Sequence, residues 1–203
     1  MTSDLSLDPS RTALLLMDFQ NDLISPGGAI APTDQEIQQR ISNILATSAS
    51  AAEAARRVGL PVIHIAVGRR PDIPSPYPHM PLFQYMVKEN ALLEGTPGFE
   101  FHPQVQPGPG ELVFVKRGIS ALAGTELGPY LRGRGIDTLV LCGYVTHMVV
   151  VGTAREAADY GYRVLVLEDC CTSGDMTRHQ AAIENMRMIS IVTDSAEFKK
   201  SVG

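Results

Sequence analysis

The sequence predicts a three-layer α/β fold, a six-stranded and mainly parallel sheet flanked by helices. Three observations carry this. Six short, near-continuous apolar runs recur along the chain; helical patterns separate most of them; and 203 residues of 44% hydrophobic composition suffice for the core of one domain, spanning 1–203. Runs that are apolar at every position, rather than at alternate ones, suit strands covered on both faces.

In chain order, "TALLLMD" (12–18) is the first strand candidate. Thr33-Asp34-Gln35-Glu36 then reads as a capping box, and Ile37, Ile41, Ile44, Leu45 and Ala52 keep an apolar stripe at helical spacing until Gly59 and Pro61 stop it. "PVIHIAV" (61–67) is the second strand. Residues 68–110 are rich in Pro and Gly and hold one apolar segment, "PLFQYMV"; a connection this long in a compact domain is functional or an oligomer contact. The stripe Met80, Leu82, Phe83 and Met86 reads as core or subunit contact. "ELVFVK" (111–116) is the third strand, followed by a short helix near 125–134 that Gly128 and Pro129 interrupt. "DTLVLCG" (137–143), a helix over 146–160, "YRVLVLE" (162–168), a helix over 176–188 and "ISIVTD" (189–194) complete the alternation.

Composition excludes several function classes. A net charge of −5 and a pI near 5.5, with Lys and Arg scattered, argue against a nucleic-acid or anionic-membrane surface and leave a small-molecule partner. No apolar run approaches the ~18 residues of a membrane span, and "MTSDLSLDPSR" lacks the parts of a signal peptide, so a cytoplasmic location is expected. Cys142, Cys170 and Cys171 are expected as reduced thiols, with Cys142 in the sheet packing and the other two after the fifth strand, away from residues 143–153. The five histidines show neither HxH nor HxxxH spacing, and no Cys-x-x-Cys occurs; neither a metal nor a cofactor is expected.

Ligands of open α/β sheets bind outside the carboxyl ends of the strands. There the first strand ends in Asp18, the third in Lys116, and the fourth runs into "GYVTHMVVVGT" (143–153). Each residue alone has an ordinary reading as a turn or solvated charge. Together, as three neighbouring strand ends, they would offer a carboxylate, an ammonium and a helix N-terminus around one crevice, where a carboxylate beside a lysine can hold or deliver a proton.

On these stretches the chain resembles the isochorismatase-like hydrolases, a cysteine hydrolase superfamily with a Rossmann-like sheet. "ALLLMDFQNDLI" resembles the segment of the catalytic aspartate, here Asp18. "FVKRGISALAGTEL" resembles the lysine segment, giving Lys116, with Leu122 where Phe is usual. "GIDTLVLCGYVTHMVVVGTAREAADYGYRVLVLEDCCTSGD" resembles the segment carrying the nucleophile elbow, and His179 falls where the next helix often carries a His.

The resemblance has consequences for each position. With Gly143, Thr146, Val150 and Thr153 laid on the elbow pattern of the thiol amidases, the nucleophilic cysteine falls on Val149, a side chain that can neither attack nor ionise. The resemblance implies a cis peptide at Tyr144-Val145 and an oxyanion site from the backbone N–H groups of Val145 and Val149, donors that survive a side-chain change. Phe19, Arg69, Leu122, Tyr144 and His147 stand as candidate substrate-binding residues, Arg69 as a clamp for a carboxylate and His147 as a pocket wall rather than a base. Val67 and Arg69 occupy the positions of the metal-binding Asp and His of nicotinamidase-type members, so that metal site does not carry over. His147 and a non-thiol Val149 match isochorismatase itself, whereas Val67 replaces its Gln. A homo-oligomer, dimer or tetramer, is implied by the resemblance alone. Three readings stay open: a hydrolase acting on a vinyl ether, amide or related bond without a thiol nucleophile; a thiol amidase whose cysteine gave way to Val149; and a non-catalytic metabolite-binding member.

Overall fold

The computed structural model describes residues 5–74 and 76–203; the first four residues of the stretch read for a leader, and Ser75 of the Pro-rich connection, lie outside them. The strands β1 (Thr12–Met17), β2 (Val62–Val67), β3 (Leu112–Lys116), β4 (Thr138–Tyr144), β5 (Arg163–Thr172) and β6 (Ile191–Thr193) form one sheet in the order β3-β2-β1-β4-β5-β6. All five neighbouring pairs are parallel. Each apolar run is thus a strand, and the expected cover on both faces holds for β1, β2 and β4, which are buried at every position; it does not hold for the two edge strands, since Leu112 and Val113 of β3 are exposed and β6 is only half-buried.

Helices α1 (Asn21–Ile24), α2 (Gln35–Arg57), α3 (Pro81–Lys88), α4 (Leu127–Gly133), α5 (Val151–Asp159), α6 (Met176–Met186) and α7 (Ser195–Ser201) are formed by the described residues. The long α2 differs from expectation at its start: Asp34, not Thr33, is the N-cap, its carboxylate accepting from the Glu36 and Ile37 N–H groups at 2.9 and 3.0 Å. Gly59, at φ +73, turns the chain out of the helix in a conformation that an L side chain adopts with difficulty.

Alternation along the strands builds two cores. Leu14 and Leu16 of β1 meet Ile41, Ile44 and Leu45 of α2 and Phe198 of α7 on one face. Ala13, Leu15 and Met17 face Leu127 and Leu131 of α4, Ala154 and Ala157 of α5, and Ile183 and Met186 of α6 on the other. These are the three layers.

The strand order reverses between β1 and β4, one strand leading away to β2 and the other to β5. Loops leaving two such strands diverge and open a crevice at their carboxyl ends. At its floor, Met17 lies in register with Gly143. A Cβ on Gly143 would sit 2.7 Å from the Met17 carbonyl oxygen, so only glycine lets the two chains come this close.

Two expectations for this region need correction. The strands ending in Asp18, Lys116 and Gly143 are not three neighbours, since β2 separates β3 from β1. And β5 runs to Thr172 through a register shift, with Cys171 opposite Gly143 and Thr172 opposite Tyr144. Cys170 and Cys171 therefore lie inside the strand and beside the elbow strand, not beyond it. All three cysteines are free and buried; for Cys142 and Cys171, burial, the largest influence on those two, pushes the thiol well above its ordinary value.

Candidate active site

The crevice holds a cavity of about 490 Å³. Asp18 follows β1 directly and adopts φ 60, a left-handed conformation that aspartate tolerates better than most residues. Its N–H stays in the sheet, donating to the Ile65 carbonyl at 2.9 Å. β1 and β3 lie roughly 10 Å apart, two strand spacings, so only a long side chain reaches across the end of β2. Lys116 does so: its Nζ is 2.9 Å from Asp18 Oδ2 and donates to the Gly118 carbonyl at 3.2 Å.

Both side chains are buried, Asp18 at 5% and Lys116 at 2% exposure. Asp18 Oδ1 has no hydrogen-bond partner. Burial therefore raises the Asp18 pKa above its ordinary value, and the charge and hydrogen bond of Lys116 offset part of that rise. A carboxylate with one oxygen held and the other unengaged beside a cavity is arranged to accept or deliver a proton.

The elbow forms the facing wall. The Tyr144-Val145 peptide is cis, at the position the resemblance implies. Residues Thr146–Val150 then make a π-helical turn before α5, so the helix expected from residue 146 opens with a wider turn. Tyr144, Val145, His147, Met148 and Val149 all line the cavity. Val149 is buried, its side chain packed into the same core as α5.

Hydrogen bonds fix the elbow from behind. Thr146 Oγ1 and His179 Nδ1 are 2.8 Å apart, both residues buried, and His147 Nδ1 lies 2.9 Å from Ser173 Oγ. Thr153 Oγ1 accepts from the Ala121 N–H at 3.0 Å, tying α5 to the chain just after Lys116. Burial, then the nearby Arg178 guanidinium, lower the His147 pKa, leaving a neutral imidazole at neutral pH.

Other candidates fall elsewhere. Phe19 is fully buried in the core under α2, because the left-handed turn at Asp18 sends the next side chain away from the crevice. Leu122 belongs to the core under α4. Arg69 lines a separate cavity of about 390 Å³, and its Nε donates to the Ala91 carbonyl at 2.9 Å. None of these three lines the main cavity. The stripe on α3 is cavity wall as well as core: Leu82, Phe83 and Met86 line it, while Met80 packs behind.

The sequence reading missed several lining residues: Leu23, Ile30, Ile119, Asp175 and Arg178. It also missed Gln20, whose carboxamide accepts from the Val67 N–H at 2.8 Å and donates to the Val67 and Phe99 carbonyls at 3.0 Å, closing the end of β2 over the site. A polar residue two places after Asp18 was the only signal for Gln20. For the others, long-range packing decides, and no local pattern marks them.

An isochorismatase domain model matches residues 12–197. The chain is 30% identical over 213 residues to ureidoacrylate amidohydrolase RutB of Methylobacterium radiotolerans, covering 98% of this chain and 82% of that protein. It is 29% identical over 176 residues to maleamate amidohydrolase of Pseudomonas putida, covering 84% and 76%. Among solved structures it is similar to an isochorismatase family protein from Desulfovibrio vulgaris, with a TM-score of 0.82 at 28% identity over 94% of this chain and 97% of the other. With the six-stranded sheet and the crevice at its reversal point, these matches establish that the chain belongs to the isochorismatase family of hydrolases.

Proposed function

We propose that the protein hydrolyses an amide or a related polarised bond of a small molecule, with water in place of a thiol as nucleophile. The observation that carries this is the split environment of Asp18: Oδ2 is held by Lys116, Oδ1 is unpartnered, and the nearby elbow offers Val149 where the family resemblance puts a cysteine. The amide is favoured because two relatives are named as amidohydrolases.

In this reading Asp18 takes a proton from water as its oxygen bonds to the substrate carbonyl carbon. The negative charge gathering on the carbonyl oxygen is stabilised by the backbone N–H groups of Val145 and Val149 and by the Lys116 ammonium. Collapse breaks the carbon–nitrogen bond, and Asp18 returns its proton to the leaving nitrogen, giving a carboxylic acid and an amine. The raised Asp18 pKa suits a group that both accepts and donates. Tyr144, Met148 and His147 wall the substrate.

The test is a panel of primary amides, ureides and vinyl ethers assayed with the parent and Asp18→Asn. Turnover by the parent should fall about 10²–10⁴-fold in the variant, the usual contribution of a positioned acid–base group. A variant that keeps full activity on a substrate of the parent overturns the reading. Binding without turnover across the panel favours the metabolite-binding alternative instead.

A further inference from the structure

We infer that the site selects a neutral substrate whose non-reacting part is apolar, in preference to one carrying a carboxylate; this rests on the proposed hydrolase activity for the word substrate, but not for the binding preference. Two observations carry it. The first is the wall: Leu23, Ile30, Leu82, Phe83, Met86 and Ile119 surround the space in front of the Asp18–Lys116 pair. Its volume of about 490 Å³ lies within the range of cavities that enclose small organic ligands.

The second is charge balance. Two cationic side chains line the cavity, and each already faces a carboxylate. Lys116 is buried 2.9 Å from Asp18, and Arg178, a largely exposed side chain, is 3.4 Å from the half-exposed Asp175. Asp175 is itself fixed, its Oδ1 accepting from the Thr177 and Arg178 N–H groups that open α6. Arg69, the guanidinium that the sequence offers as a carboxylate clamp, lies outside this cavity with its Nε committed to the Ala91 carbonyl. A substrate carboxylate would lose water without gaining an unshared cation, a cost that a neutral apolar group avoids. The apolar group instead gains from each methylene buried, about 4-fold in binding per methylene at ordinary transfer energies.

A matched pair of ligands tests this. Hexanamide and adipic acid monoamide have the same chain length and differ at the far end, a methyl against a carboxylate; 2-heptanone and 6-oxoheptanoate are their counterparts without a hydrolysable bond. kcat/KM is measured for the amides, and affinity for the ketones by calorimetry. The neutral member of each pair should be favoured at least 10-fold, and Phe83→Ala and Met86→Ala should shrink that ratio while the circular-dichroism spectrum stays that of the parent. Preference for the charged members, lost in Arg178→Gln, overturns the inference and leaves the hydrolase reading standing. Neutral ketone binding without turnover of either amide leaves the inference standing and counts against hydrolysis of simple aliphatic amides only. Binding of neither ketone overturns it.

Discussion

Asp18 does three things at one residue. Its N–H ends the β1–β2 ladder, its φ of 60 turns the chain, and its side chain enters the cavity with one oxygen unengaged. Because burial raises its pKa and Lys116 opposes that rise, removing the lysine charge should raise it further. The sign is fixed: base catalysis needs the ionised form, so the acidic limb of kcat/KM lies above the ordinary carboxylate value in the parent and moves to higher pH in Lys116→Met. A pH–rate profile checks this, with a thermal melt alongside, since unpairing a buried charge costs about 3–5 kcal/mol when the charge stays ionised. A limb that moves to lower pH contradicts the assignment. Val149 gives a second prediction. The three native thiols are buried away from the cavity, whereas residue 149 lines it in the opening turn ahead of α5. Iodoacetamide should therefore leave the folded parent unlabelled and modify Val149→Cys once, read by mass spectrometry; labelling of the parent under the same conditions contradicts it. At this scale Asp18 and Lys116 were legible because polar residues ending apolar runs are conspicuous. Phe19 and Leu122, each in or beside a recognised segment, turn into the cores instead, since sequence neighbours in extended or turning chain point in different directions.

At the scale of elements, the elbow depends on how closely β4 approaches β1. Gly143→Ala would set a methyl 2.7 Å from the Met17 carbonyl oxygen and 3.0 Å from its Cβ, contacts that backbone alone can relieve. We predict a loss of stability of more than about 2 kcal/mol, read as a fall in Tm, because neither strand can move without breaking register. A melt within about 1 °C of the parent would show that the sheet yields. The six strands were legible as apolar runs; for β1, β2 and β4 the reason is that a doubly covered strand must be apolar throughout, whereas β3 keeps its apolar run although Leu112 and Val113 are exposed. The π-helical turn was not: one extra residue in a turn leaves the apolar pattern almost unchanged. Nor was the extension of β5 beyond Glu168, where the expected strand ended, through Asp169 to Thr172; a register shift accommodates these charged positions. Arg187 pairs with Glu168 at 3.0 Å, while Asp169 accepts from Ser195 N–H and Oγ at 2.8 and 2.6 Å, at the first residue of α7. Those partners are distant in sequence and explain why carboxylates are tolerated there.

Across the whole molecule, the edge of the sheet opposite β6 is secured by a charged cluster. Glu111 receives Arg56 of α2 at 2.6 and 2.9 Å, the Gly108 N–H at 2.7 Å, and His64 of β2 at 2.8 Å. Burial pushes the Glu111 pKa up, but these partners outweigh it and hold it at about 2. A carboxylate depressed in the folded state contributes stability above its unfolded value, near 4.5, and loses it as pH falls toward 2. The buried His64, its pKa lowered first by burial, acts in the same direction below about 6.5. Glu111→Gln should thus lower stability at pH 7 by about 2 kcal/mol after allowance for solvent screening, and the gap from the parent should narrow by more than half at pH 3, closing only as pH falls below about 2. Denaturation midpoints at both pH values check this; a gap that stays constant means that the charge is not what matters. The strand order itself was only partly legible. The alternation of elements implied a parallel sheet, but placing β2 between β3 and β1 requires knowing which strands pair, and that is decided by burial between distant segments.

The reversal between β1 and β4 divides the chemistry between two stretches of chain. Everything up to Lys116 supplies the Asp18–Lys116 pair; everything from Tyr144 onward supplies the elbow and the capped end of α6. Neither stretch holds a site alone. The β1–β4 ladder is the seam that brings them together, so the cavity between them exists only while that ladder is paired.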